Sequence, residues 1–262
     1  MDEKYRSNHI RQDGGLCFEL APWQHQPVEL EEHLKKLKQR WGNSVTADYK
    51  RRSQLALVNS EISRYMDTVI APFLDTYHRN IQISYQQMTE KILKRIKDEI
   101  NAAVVKKNKI YTALTILARN LTLPAMCNED HRKIKILANK HVAKIYVCTE
   151  EARKSIAKMG IYAQEMINIT KKHMEGSLVE AAKFIDNVRQ RILQRKDINA
   201  CLKQLSREAV LLGYELDLSL TNARRHNEQS CEKISVCSTI AKRSTDDAVV
   251  ALKDELFQCV YA

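Results

Sequence analysis

Apolar side chains recur at three- and four-residue steps from Asn128 to Lys196, through Ile134, Ala138, Val142, Ile145, Cys148, Ala152, Ile156, Met159, Ala163, Met166, Ile169, Leu178, Ile185 and Ile192. Alternation of period two is almost absent and no proline interrupts the stretch, so the pattern predicts long helix rather than strand. Gly160 and Gly176 each cost about 1 kcal/mol against alanine in a helix interior. Two readings follow. Either one helix of roughly 100 Å runs through at 1.5 Å per residue, or the chain turns back at Gly160, which lies where a C-terminal glycine cap would.

The flanking sequence continues the same periodicity. Val28 to Trp41 sets Leu30, Leu34, Leu37 and Trp41 on one face and stops at Gly42, a short amphipathic helix. A second long tract runs from Ala47 to Leu121. Pro72 inside it predicts a kink or break near Ala71, because proline lacks a backbone donor and crowds the preceding turn; Asn108 marks a possible further irregularity. Leu121-Thr122-Leu123-Pro124 reads as a connector, with Asn128 or Asp130 capping the helix that follows. Lys196 to Asn199 reads as a turn, Arg224-Arg225-His226-Asn227 as the basic end of the next helix, and a last helix runs from Glu228 to Cys259. The chain is thus predicted to be all-α, an elongated antiparallel helix bundle of long amphipathic helices. Its parts are an irregular N-terminal arm over 1–27, tacked to the body by Phe18 and Trp23, an N-terminal long-helix segment over 28–122, and a C-terminal antiparallel bundle over 127–262.

Composition sharpens this picture. Six glycines, four prolines, 6% aromatics and 29% charged residues suit helices packed on helices. No run of about eighteen apolar residues exists, so no transmembrane helix is predicted. A formal charge of +11 favours acidic partners such as nucleic acid or anionic membrane, though basic side chains on amphipathic helices are ordinarily a solvated face. The charged opening Met1-Asp2-Glu3-Lys4 is no signal peptide, which predicts a cytoplasmic chain if that N-terminus is native.

The seven cysteines form no C-x-x-C pair. If Gly160 is a turn, four antiparallel helices set Cys148 level with Cys237 and Cys201 level with Cys259, within the roughly 7 Å that a disulfide tolerates between Cα atoms. Paired cysteines predict an extracellular protein; buried thiols suit a cytosolic one.

Chemical signatures are few. The expectation is no Gly-rich phosphate loop, no G-x-S-x-G elbow, no S-x-x-K motif, no H-E-x-x-H and no Glu-x-x-His set of a di-iron bundle. Glu129, Asp130 and His131 are explained by an acidic helix start without a metal. The expectation is therefore no catalytic residue, no cofactor and no metal site. Asn120-Leu121-Thr122 and Asn168-Ile169-Thr170 are possible glycosylation acceptors at Asn120 and Asn168.

Cys201-Leu202, the leucine-rich run ending Leu220-Thr221-Asn222-Ala223-Arg224, and then Cys231, Cys237 and Cys259 form a cadence of helices and spaced cysteines. Over residues 127–262 this resembles the tsetse-EP-type domain of secreted insect proteins. The resemblance implies a secreted, disulfide-bonded helical protein without established catalysis. Three functions stay open: a non-enzymatic helical binding or structural protein, for apolar or acidic ligands; a cytosolic scaffold or coiled-coil oligomer that self-associates through apolar faces; and a basic binder of nucleic acid or membrane surfaces.

Overall fold

The computed structural model describes residues 27–41, 60–121, 129–189 and 195–261. Four helices account for nearly all of them: α1 (Leu30–Trp41), α2 (Ser60–Tyr65, passing through a π-helical turn at Met66–Ile70 into Ala71–Asn120), α3 (Glu129–Arg189) and α4 (Arg195–Tyr261). No strand occurs among the described residues, and the chain is an all-α helix bundle. The N-terminal arm with Phe18 and Trp23, and the connector from Thr122 through the Asn128 cap, lie outside the described residues.

Cross-helix partners set the directions. Tyr65 meets Ser206, Lys91 meets Glu228, Arg95 meets Ser235 and Glu99 meets Lys242, so α2 and α4 run parallel with a steady offset. His78 meets Thr170 and Tyr85 meets Ile156 as α3 runs back between them. Three helices of about 90–100 Å at 1.5 Å per residue thus form an up-down-up rod. The segments 28–122 and 127–262 share one core, in which Ile81, Met88 and Ile92 pack with Met159, Met166, Leu212 and Leu216.

Helix α1 lies in the valley between α3 and α4, parallel to α3. Leu30, Leu37 and Trp41 are buried in that core, each contributing about 1.5–3 kcal/mol of apolar burial. Polar contacts fix its register: His33 Nδ1 shares a 2.7 Å hydrogen bond with the Tyr162 hydroxyl, Lys38 pairs with Glu165, and Trp41 packs edge-on against His173 at 4.7 Å.

Several expected breaks are not there. The chain does not turn at Gly160; α3 passes through it unbroken, and a Cβ there would stand 2.6 Å from the Tyr85 hydroxyl. The glycine admits a neighbouring helix instead of ending its own. The reversal expected at Lys196 to Asn199 comes a few residues earlier, since α3 ends at Arg189 and α4 begins at Arg195, whereas the run at 224–227 lies inside α4. That run is polar because it is a contact layer: Arg224 Nη2 donates to Ser84 Oγ, His226 bonds Ser155, and Asn227 is buried. Near Ala71, where Pro72 predicts a kink or break, α2 changes winding without ending: the α-helix gives way to the π-helical turn Met66–Ile70 and resumes at Ala71. The turn before the proline widens, with Ala71 N–H donating to Met66 O five residues back, so the missing proline donor falls at a change of winding. Asn108 lies within regular helix.

A candidate binding groove around the Cys148–Cys237 bridge

Beyond the N-terminal end of α1 no described helix covers the valley between α3 and α4, and a groove of about 750 Å³ opens there. On α4, Gln229, Lys233, Val236, Ile240 and Ser244 follow at three- and four-residue steps and so share one helix face. Lys144 and Val147 answer them from α3. The walls are apolar and wet: Val147 is 71% exposed, Ile240 62% and Val236 53%. The floor is Cys148, Cys237 and Ala241.

Cys148 and Cys237 stand at disulfide distance, with Cα atoms 5.6 Å apart and sulfurs 2.02 Å apart. The bridge ties α3 to α4 in a small cluster that, among the described residues, holds Ala103, Ile145, Ala241 and Val142 beside the two cysteines. Both ends of the groove are closed by polar contacts. At one end Lys144 Nζ donates to Ser244 Oγ at 2.8 Å. At the other, Val28 N–H donates to Gln229 Oε1 at 3.3 Å, which seats Pro27 on the groove wall. Lys144 and Lys233 make the rim predominantly basic against the single carboxylate of Glu232.

Below the Pro27 end lies a cluster of chemical interest. Ser155 Oγ is 2.8 Å from His226 Nε2 and 2.6 Å from Ser230 Oγ. Both serines precede a lysine by three positions, Ser155-Ile156-Ala157-Lys158 and Ser230-Cys231-Glu232-Lys233, so the S-x-x-K spacing expected to be absent occurs twice. The lysines face elsewhere. Lys158 is bound to Glu31 and Lys233 is exposed on the groove rim. The serines are buried in mid-helix, where the backbone N–H groups that would stabilise an oxyanion are committed to the helix. Burial holds the His226 imidazole below its usual pKa, so it stays neutral near pH 7. The arrangement is a hydrogen-bonded polar layer between α3 and α4.

The other residues singled out from the sequence are dispersed. Cys201 cannot bridge Cys259: both lie on α4, about 87 Å apart along the helix at 1.5 Å per residue. Cys201 is buried and Cys259 is disulfide-bonded elsewhere. Asn120 is exposed at the end of α2, while Asn168 is half-buried on α3 and accepts from Gln164. His173 is buried and bonded to Glu208 at 2.9 Å. The side chains of Glu129 to His131 lie outside the described residues, and among those described no three ligating side chains gather for a metal. No described helix is long and apolar enough to cross a membrane. Many basic residues are held in cross-helix pairs, including Lys91 with Glu228, Lys106 with Asp246 and Lys133 with Glu255.

The groove itself is what sequence reading missed. Its signal is an apolar residue lying off the core stripe: Val147 beside Cys148, and Val236 and Ile240 flanking Cys237. Against known proteins, the chain matches no family model, no curated protein and no solved structure.

Proposed function

We propose that this chain is a non-enzymatic helical binding protein whose binding surface is the groove around the Cys148–Cys237 bridge. The observation that carries the reading is an open, largely apolar groove of about 750 Å³ between α3 and α4, within the 300–1,000 Å³ usual for ligand sites. Its chemistry suits an elongated apolar ligand with an anionic end, the hydrocarbon on Val147, Val236 and Ile240 and the charge on Lys144 or Lys233. The bridge supports a place in an oxidising compartment, where such bonds persist.

Anilinonaphthalene sulfonate, an apolar fluorophore with one negative charge, is a direct probe. Saturable binding to the full chain that is lost in Val147→Asp and Ile240→Asp supports the reading. Both positions are exposed, so the fold tolerates the change. Binding that ignores both substitutions overturns it.

A second reading, a scaffold that self-associates, draws on Leu211, Tyr214 and Leu218, three exposed apolar residues at helical spacing on α4. Sedimentation equilibrium of the wild type and Tyr214→Glu decides it: a dimer dispersed by the substitution supports self-association, and a monomer in both rejects it.

A further inference from the structure

The bond between Cys148 and Cys237 lies in the floor of the groove, so a small molecule that enters the groove comes against its sulfurs. Its two ends differ in access: Cys148 is 7% exposed, whereas Cys237 is half-buried. Each cysteine follows a groove-lining lysine by four residues, Cys148 after Lys144 and Cys237 after Lys233. Side chains four apart on a helix are neighbours, about 5–6 Å between Cβ atoms. Because α3 and α4 run in opposite directions, the two lysines flank the bridge from opposite sides along the groove. Lys144 donates to a hydroxyl, that of Ser244, and Lys233 is exposed. Against them stand Glu232 in the lining and Glu151, which feels the Lys233 charge but is itself bonded to Lys154. The field over the bridge is therefore positive on balance.

We propose that this bridge is a thiol–disulfide exchange site, reached through the groove and selective for small anionic thiols. The incoming thiolate attacks Cys237 Sγ, the more accessible sulfur. A new S–S bond to Cys237 forms as the Cys237–Cys148 bond breaks, and the electron pair leaves on Cys148 as a thiolate, which Lys144 one turn away favours until it takes up a proton. A second thiol of the same class attacks the mixed disulfide, carries off the first as a small-molecule disulfide and leaves Cys237 reduced as well. Two electrons have then passed from two thiols to the bridge. Lys233 raises the local concentration of the attacking anion. The inference rests on the proposed function only in taking the groove as open to small anions.

The oxidised full chain tests it with three two-carbon monothiols: mercaptoethanesulfonate, mercaptoethanol and cysteamine, which are anionic, neutral and cationic. Opening is stopped with iodoacetamide and read by mapping the alkylated Cys148 and Cys237 peptides, with rates compared at equal thiolate concentration. At low salt mercaptoethanesulfonate is expected to be fastest and cysteamine slowest, several-fold apart. The spread closes in molar salt and in Lys144→Gln/Lys233→Gln. A rate independent of thiol concentration means that the bond opens only through unfolding, and overturns the proposal. So does a native-state rate without charge order, or a charge order that survives the lysine substitutions. Binding of anilinonaphthalene sulfonate to the same protein separates the two readings. If the dye binds the groove but the thiols show no charge order, the exchange site is overturned and the binding surface stands. If the lysine-dependent order holds while the dye does not bind, the exchange site stands and the binding of apolar anions is overturned.

Discussion

At Gly160 an added methyl would lie 2.6 Å from the Tyr85 hydroxyl and 3.2 Å from Cζ of the same ring. Two effects oppose each other there. Alanine gains about 1 kcal/mol of helix propensity over glycine, whereas forcing a ring out of a packed interface costs typically 1–3 kcal/mol. The ring is stiff and its hydroxyl donates to Ile156 O, so displacement wins. Gly160→Ala is therefore expected to lower unfolding stability by about 1 kcal/mol, read from urea denaturation. Tyr85→Phe in the same chain should recover much of that loss. A stabilised Gly160→Ala protein would mean that Tyr85 does not approach α3. Gly213, faced by Tyr77 at 3.1 Å and Phe73 at 3.3 Å, repeats the device on α4, with two rings and no approach as close as the 2.6 Å at Gly160.

The elements are joined across the rod by one described covalent tie. The bridge between Cys148 and Cys237 closes a loop with a sequence separation of 89, and removing a cross-link over a loop of that size costs about 2–5 kcal/mol. Cys148→Ser/Cys237→Ser should lose that much in urea denaturation under oxidising conditions, and added reductant should no longer affect its midpoint through this bond. Equal midpoints for the variant and the wild type would show that the two cysteines are not bridged. The levelling of Cys148 with Cys237 also shows how far the sequence could be read. The apolar stripes revealed helices and their great length, because periodicity is a local property. Where they reverse is not local. Gly160 looks like a cap until Tyr85, remote in sequence, is placed against it, and Arg224 to Asn227 look like a terminus until Ser84 and Ser155 supply their partners. Dropping both turns together keeps Cys148 level with Cys237 but moves Cys201 to the far end of the helix that carries Cys259. The groove was hidden for a related reason. Val147 and Ile240 are visible off the stripe, but single exposed apolar residues are ordinary until the end of α1 shows which part of the valley no described helix covers.

On the scale of the whole rod, histidines recur at the helix interfaces: His33 against Tyr162, His78 against Thr170, His141 against Thr245 and His226 against Ser155. Each is bonded to a hydroxyl, and each has its pKa held below the ordinary value first of all by burial. The charges around them add little shelter for a proton. Lys106, Lys242 and Lys144 oppose it at His141 against the one carboxylate of Asp246; Lys233 and Lys158 oppose it at His226 against Glu29. At His78, Lys171 opposes it and Asp75 favours it, and at His33, Lys36 opposes and Glu215 favours. The sign follows directly. An unfolded histidine takes its proton near pH 6.5, whereas the folded ones resist to lower pH, so acid favours the unfolded chain. Stability should be flat above about pH 7 and fall as pH drops below about 6.5, levelling once the folded imidazoles also titrate. Urea midpoints measured from pH 8 to pH 5 would show that slope, and His141→Gln, which keeps a polar partner for Thr245 without a titrating ring, should make it shallower. Midpoints that stay level or rise toward pH 5 would mean that these rings are charged or solvated in the folded rod.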